Sequence, residues 1–399
     1  MNERRGGVAD ENGLLARAAA IRPLLAKNAA SSEKNRRLAD ENISALGQAG
    51  LLEVMIPRRW GGSCATVQTY IRTSAELAKA CPSSGWVHSV MNVSAWLASH
   101  LPDDGQEEIF WGGARPRFCS VVSPTVSARR VEGGYVLSNG RWNFASGCWH
   151  SNWAGLGFPI VDNGGKALEH GVCYIPMTEI EIVDNWFVAG MKATGSNSLT
   201  LEETFVPERR TLSFTRAMAG EYPARRHTGE LSDRYALMPV FSLDLLGPIL
   251  GAADAILESV SAGAHKRGIS YTNYQRQTDS QVVHHHIGEA ALKIDTAWLH
   301  TLRSAESIDS AARESRLMDY LTRARVRGDA GYAAQLVRDA LDQLMSIAGA
   351  AAFAESNPLQ RLWRDAHVGS RHAALNTPPN FELYGRALLG VEGNITGMI

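Results

Sequence analysis

The sequence predicts an α+β chain in three parts: an N-terminal α-helical domain over residues 1–115, a middle antiparallel β-domain over 116–232, and a C-terminal four-helix bundle over 233–399. Three observations carry this reading. Apolar residues recur at one-face helical spacing as far as Arg115. From Pro116 the texture turns to short β-like runs separated by Gly and Asn turn signals. After a polar, arginine-rich link around Glu221–Arg234, long helical stripes return and persist to the end.

Residues Met1–Asn12 are polar and glycine-containing and are expected to be disordered. Leu14, Leu15, Ala18 and Ile21 then share one helical face, and after Ser31-Ser32 a second run places Leu38, Ile43, Leu46, Leu51 and Leu52 likewise, with Gly50 as a stop. A turn at Arg58–Gly62 leads to a third helix over about Thr66–Cys81. Pro82-Ser83-Ser84 opens a fourth, which carries Trp86, Val87, Val90, Val93, Trp96 and Leu97.

Strands are predicted at Phe118–Val122, Tyr135–Leu137, Trp153–Ile160, Gly171–Ile175, Ile180–Val183 and Ser198–Val206, the last closed by Pro207. Glu132-Gly133-Gly134 and Ser138-Asn139-Gly140 read as turns. Leu245–Val260, Val283–Leu302 and Ala333–Ala348 are long helices. The last has so broad an apolar stripe that it needs partners on more than one side, which a four-helix bundle supplies.

Lys+Arg 40 against Asp+Glu 41 leaves a net charge of -1, which gives neither the basic field of a nucleic-acid binder nor a polybasic membrane segment. The cysteines Cys64, Cys81, Cys119, Cys148 and Cys173 lack the short paired spacing of disulfide frameworks and zinc sites, and the first thirty residues lack the apolar core of a secretory signal. The apolar passage Pro239–Ile256 is interrupted by Asp244, Pro248 and Asp254 and is not expected to span a membrane. A cytoplasmic protein is the expectation.

Several familiar chemistries find no motif. His284-His285-His286 point about 100° apart on a helix and cannot converge unaided on one ion, so no metal is expected. There is no Glu-x-x-His pair for a di-iron bundle, no Walker loop, no zincin helix and no Gly-x-Ser-x-Gly elbow, and Gly155-Leu156-Gly157 runs into Phe158-Pro159 rather than a dinucleotide fingerprint.

Three segments remain. Gly140–Trp153 sets aromatic rings around small hydroxyl and glycine positions, the composition of a wall for a planar ligand, although such rings near a turn more often belong to core packing. Trp186–Ser198 joins an aromatic start to a loop dense in hydroxyls and glycine that can serve a phosphate or a ring edge, or be a plain turn. Near the C-terminus, Arg361-Leu362-Trp363-Arg364-Asp365-Ala366-His367 and the following Val368–His372 place two histidines five apart at a helix end.

In this order and placement the three segments resemble the acyl-CoA dehydrogenase fold over about residues 14–390. The stretch Gly140–Gly147 is similar to the one in which a hydroxyl of that family meets flavin N5, here Ser146. Thr194-Gly195-Ser196 sits where the next flavin-side strand begins, and Asn357–Ala366 looks like the family's late Arg-Asp-Ala helix. The departure is informative. In the common dehydrogenases a catalytic Glu follows that helix, whereas this chain reads Arg371-His372-Ala373-Ala374-Leu375-Asn376 and offers no carboxylate to abstract an α-proton. A histidine there resembles the oxygenase components of two-component flavin-dependent aromatic monooxygenases, the branch with hydroxyphenylacetate and steroid-phenol hydroxylases and dibenzothiophene monooxygenases.

That resemblance implies reduced flavin (FADH2 or FMNH2) delivered by a separate NAD(P)H-dependent reductase, O2, a C4a-hydroperoxyflavin, and hydroxylation of an aromatic or heteroaromatic substrate such as a phenol, an indole or a polycyclic ring. It implies His372 as the catalytic histidine, acting as base or proton donor, with His367 as understudy. Ser146 would bind N5; Trp142, Phe144, Ala145, Thr194 and Ser196 would form the cofactor wall; Arg267 and Tyr271 would reach a neighbour's flavin in a homotetramer. Trp86, His88, Asn92, Ser94 and Ser120 would line the substrate pocket. Ser94 falls near the place where phenol-hydroxylating relatives often carry a His, which favours acceptors other than a simple phenol. Two alternatives stay open: a dehydrogenase or oxidase on the same fold, and a non-catalytic flavin-binding homologue.

Overall fold

A computed structural model describes residues 11–224 and 229–399. The first ten residues, expected to be disordered, and 225–228 of the arginine-rich link lie outside the described residues. The N-terminal part is built from α1 (Glu11–Lys34), α2 (Asp40–Gln48), α3 (Val67–Ala78), α4 (Pro82–Ala98) and α5 (Asp103–Trp111). Glu11 and Asn12, read as part of the disordered start, already belong to α1, and Ser31-Ser32, read as a break, are helical; the chain turns at Arg36, whose φ is 52°. Thr66 caps α3 by accepting the Thr69 N–H, and Pro82 begins α4 where a missing N–H costs nothing.

The middle part holds β1 (Phe118–Val121), β2 (Ser127–Val131), β3 (Gly134–Ala145), β4 (Trp153–Val161), β5 (Ala167–Pro176), β6 (Glu181–Val183), β7 (Asn197–Pro207) and β8 (Thr211–Ser213). They form two four-stranded sheets, ordered β1-β4-β5-β8 and β2-β3-β7-β6. Every pairing is antiparallel except β1 with β4, which run parallel. β2 and β8 escaped the sequence reading: one is an arginine-bearing edge strand, the other only three residues long.

Asn139-Gly140 is not a hairpin turn. The hairpin is Glu132-Gly133, and β3 runs straight through Asn139, φ 55°, keeping its register with β7 from Ser138↔Glu203 to Gly140↔Leu201. Glycine is needed at 140 because the Trp142 indole lies over it, 2.4 Å from where a Cβ would stand.

The C-terminal part opens with α6 (Phe214–Met218) and α7 (Leu237–Leu243), followed by α8 (Leu246–Ala264), α9 (Gln281–Arg313), α10 (Tyr320–Ala348), α11 (Pro358–Gly369) and α12 (Thr377–Leu389). α10 packs against α8, α9 and α12, with α11 laid on α8. Gly247 and Gly251 let α8 approach α3, since a Cβ would stand 2.6 Å from the Ile71 carbonyl oxygen and 2.0 Å from that of Ala75. The N-terminal helices and the bundle consequently share one apolar core, while the two sheets enclose their own around Trp142, Leu156 and Phe158. Leu237–Ala264 is apolar and long enough to cross a membrane despite its interruptions, but 78% of its apolar window is buried inside the protein, as befits a core helix. The five cysteines are all buried and free.

Candidate active site

The site forms where the β3–β4 corner, the loop before β7, α4 and the end of α11 converge. A register shift between Trp142 and Ala145 puts a bulge in β3. It forces Phe144 into the left-handed region (φ 71°) and pushes its ring out, 69% exposed, edge-on to Trp186 at 6.0 Å. A bulky residue held there is a strained arrangement of the kind found beside ligands. Trp142, still in register with Leu199 ahead of the bulge, points inward by ordinary strand alternation: it is fully buried and donates Nε1–H to the Gly157 carbonyl, 2.9 Å. Trp142 is therefore core, while Phe144, read with it as wall, stays exposed beside Trp186.

Ser146 follows the bulge, buried beneath it. Gly147, φ 76°, donates its N–H to the Thr194 carbonyl at 2.8 Å and so latches the corner to the loop before β7. Ser146 Oγ receives the Trp86 Nε1–H at 3.1 Å and lies 2.7 Å from Ser196 Oγ, which lies 2.6 Å from Thr194 Oγ1. Thr194 in turn donates to the Met191 carbonyl at 2.8 Å. Ala145 pairs with Asn197 and is fully buried, so it contributes backbone only.

Met191, also left-handed at φ 56°, is held by a residue to which the sequence assigned no role. Its N–H donates to Asp365 Oδ1 at 2.5 Å, and the other carboxylate oxygen accepts the Ser83 hydroxyl at 3.2 Å. Asp365 thereby ties α11 to the loop and to α4; burial pushes its pKa up to about 6. The Arg-Asp-Ala pattern was the available signal. Gly369 completes the approach: a Cβ there would come within 2.8 Å of Met191 Cε and 3.0 Å of the Trp86 ring.

His372 caps the turn after α11 and meets the Trp86 indole edge-on at 5.9 Å. Its ring reaches solvent on one side and is hemmed by protein on the others, and this loss of hydration lowers its pKa to about 4. The imidazole is neutral at pH 7. Its Nδ1 accepts the Ala374 N–H at 3.3 Å, which places the remaining proton on Nε2.

His367 turns elsewhere. It packs on Trp363 and lies 2.9 Å from Asp342 on α10, out of line for a hydrogen bond and ionic only when protonated. His88 and Asn92 also face away from Ser146. His88 stacks on Tyr70 of α3 with both ring nitrogens buried and unpartnered, while the Asn92 amide bonds Leu51, Val54 and His88 backbone. A helix that aims Trp86 at Ser146 points His88 some 200° away. Val90 is the one α4 residue not buried; it stands between Trp86 and Ser94 at four-residue steps. Ser94 meets Ser120 of β1 at 2.6 Å.

Arg267 donates to its own Ala348 carbonyl at 3.2 Å, whereas Tyr271 projects fully into solvent. Of the three consecutive histidines, His284 folds back on Thr278, while His285 and His286 do approach each other and Glu289, ligand atoms within 4.8 Å. Lys293 and Gln343 already engage Glu289 there. Two clefts of about 810 and 830 Å³ open away from Ser146, one beside Phe187 and Arg361, the other between α9 and α10.

These residues suit a flavin ring. Ser146 keeps one lone pair, Phe144 offers a face, and glycine at 369 leaves the approach between Trp86 and Met191. The comparisons agree. Residues 16–109 match the acyl-CoA dehydrogenase N-terminal domain and 245–377 the acyl-CoA dehydrogenase C-terminal domain. The chain is 31% identical over 391 residues to the oxygenase subunit HsaA of a flavin-dependent monooxygenase from Mycobacterium tuberculosis, covering 96% of each. It is 30% identical over 380 residues to the oxygenase component of p-hydroxyphenylacetate 3-hydroxylase from Acinetobacter baumannii, covering 94% of this chain and 89% of that one. The solved structure of XiaF from Streptomyces sp., in complex with FADH2 and glycerol, superposes with a TM-score of 0.92 at 35% identity over 97% of both chains. Fold and site define an acyl-CoA dehydrogenase-fold flavoprotein. Within that fold, the chain belongs to the oxygenase components of two-component flavin-dependent monooxygenases.

Proposed function

We propose that this chain hydroxylates an aromatic or heteroaromatic substrate, with reduced flavin and O2, at the recess bounded by Phe144, Ser146, Trp86 and His372. The observation that carries the reading is the Trp86 indole, which bonds Ser146 through Nε1 and meets His372 edge-on, so that a cofactor-side hydroxyl and an imidazole share one rigid partner. Bound reduced flavin supplies the electrons and the ring at which O2 is activated.

The chain's own residues supply the rest. Ser146 would meet ring N5, and Phe144 with Trp186 would shield the ring from water. His372, its Nδ1 committed to the Ala374 N–H, holds a proton at Nε2 and donates it as a hydrogen bond to oxygen at the reacting centre. The substrate lies along Trp86, Val90 and Ser94 toward Ser120. Relatives named for p-hydroxyphenylacetate, resorcinol and indole-3-acetate support an aromatic acceptor.

A separate flavin reductase supplies the cofactor. The working form is a cytoplasmic homotetramer, a reading supported by the outward Tyr271 and by Val282, Leu292 and Leu299 exposed along α9; within its own chain Arg267 donates to the Ala348 carbonyl. An acyl-CoA dehydrogenase reading has no base here, because residues 366–381 contain no carboxylate and Asp365 is turned to Met191.

The test mixes the protein anaerobically with reduced FMN or FAD, admits 18O2, and follows flavin absorbance and products from phenols, indoles and polycyclic aromatics. A transient distinct from free reduced and oxidised flavin, followed by an 18O-labelled product, is expected. Reoxidation at the free-flavin rate with no labelled product sinks the proposal.

A further inference from the structure

We propose that Ser196 and Thr194 are positioning residues that fix the direction of the Ser146 hydroxyl, making it an acceptor toward the cofactor, and that this selects reduced over oxidised flavin. The inference rests on the reading that places Ser146 against ring N5.

A hydroxyl has one proton to give. Thr194 gives its proton to the Met191 carbonyl, 2.8 Å away, so across the 2.6 Å contact with Ser196 it must accept. Ser196 is then the donor to Thr194 and must accept from Ser146 across 2.7 Å. Trp86 Nε1, which can only donate, fills one lone pair of Ser146 from 3.1 Å. Ser146 has given its proton away and has one lone pair left. All four side chains are more than nine-tenths buried, so water is not at hand to replace a partner.

The reverse order is poorer. With Thr194 donating to Ser196 and Ser196 to Ser146, Thr194 leaves the Met191 carbonyl, which keeps Trp186 Nε1 at 3.0 Å and the Thr194 N–H at 3.2 Å. The Ser146 proton then has no partner in the protein. Reduced flavin carries hydrogen on N5 and meets the lone pair. Oxidised flavin has only a lone pair at N5, so it must either face Ser146 unbonded or drive the chain into its reversed order. The difference is about one net hydrogen bond, a factor of roughly 3 to 10 in relative affinity.

The experiment measures anaerobic dissociation constants of reduced and oxidised FMN and FAD for the wild type, Ser196→Ala, Thr194→Val, Thr194→Ser and Ser146→Ala, with the two-electron potential of the bound flavin as a second readout. Ser196→Ala and Thr194→Val both release the Ser146 proton. Each is expected to lower the oxidised-to-reduced Kd ratio about 3- to 10-fold and so to lower the two-electron potential of the bound flavin, by about 30 mV for the tenfold case. Thr194→Ser keeps the chain intact and should preserve the wild-type ratio. If Ser146→Ala alters the ratio while Ser196→Ala and Thr194→Val do not, the relay is overturned and the placement of Ser146 stands. If Ser146→Ala leaves both affinities unchanged, that placement fails and the relay with it.

Discussion

The Met191 N–H donates to the Asp365 carboxylate at 2.5 Å and so holds a left-handed residue in the loop behind Ser146. One buried side chain on α11 therefore governs the geometry of a loop more than 170 residues earlier.

Asp365→Ala leaves the Met191 N–H and the Ser83 hydroxyl without their acceptor. A loss of about 2–4 kcal/mol in unfolding free energy is expected, with a weakened flavin site. Asp365→Asn keeps an acceptor and is milder. It also isolates a pH effect. Because the folded pKa is raised from 3.8 to about 6, the stability this carboxyl contributes is fully present below 3.8 and is lost as pH rises through 6. The stability of wild type relative to Asp365→Asn should therefore fall between about pH 4 and pH 6 in denaturant titrations; a difference that rises across that window contradicts the assignment.

Phe144 predicts a trade between stability and binding. Its left-handed backbone costs about 1–2 kcal/mol, which glycine would relieve, and its exposed ring loses little by deletion. Net of the greater freedom of the unfolded chain, Phe144→Gly should be as stable as wild type or up to about 1 kcal/mol more so, while its flavin Kd rises about tenfold or more. Thermal melts and flavin titrations measure the two; a destabilised variant with normal affinity would mean that the ring serves packing only.

For His372 the prediction turns on proton direction. With Nδ1 accepting the Ala374 N–H, the ring is a donor at Nε2, and glutamine can replace a donor but not a base. His372→Gln should retain about a tenth or more of the oxygenation rate and His372→Ala about a hundredth or less, read as labelled product against H2O2 released. Equal collapse of both would restore the base role. Since the pKa is lowered to about 4, ionisation of this ring should leave the activity profile flat from about pH 5.5 to 8.

The architecture was legible because its signals are local. Helical stripes, a change of texture at Pro116 and broad apolar faces after residue 245 need no tertiary knowledge. Ser146 and His372 were reached through their motifs and do converge, through Trp86. What escaped depends on which way a side chain turns. Of the two rings read as wall, strand alternation in register with β7 took Trp142 into the core, and a bulge that no sequence rule predicts turned Phe144 outward. Helix phase, set by packing against α3, turned His88 onto Tyr70 and Asn92 onto the Leu51 and Val54 backbone, and left Val90 less buried than its neighbours on α4. Asp365 was visible as a residue, but its partner Met191 is distant in the chain and no spacing rule connects them.

His88 supplies a test in which stability and function separate. Its ring is fully buried, stacked on Tyr70, and neither nitrogen has a partner; burial lowers its pKa to about 3. The fold thus holds it neutral. Its contribution to stability is present above the unfolded value of 6.5 and is lost as pH falls toward 3, because the unfolded chain takes up a proton that the folded chain refuses. His88→Phe keeps the stacking and removes two unsatisfied polar atoms. It should gain about 1–3 kcal/mol at pH 7 if the larger ring is accommodated, and more as the pH is lowered toward 4. Because His88 faces α3 and not Ser146, KM for the aromatic substrate should change less than about twofold. A large rise in KM with an unaltered acid limb would return His88 to the substrate pocket and overturn the helix phase assigned to α4.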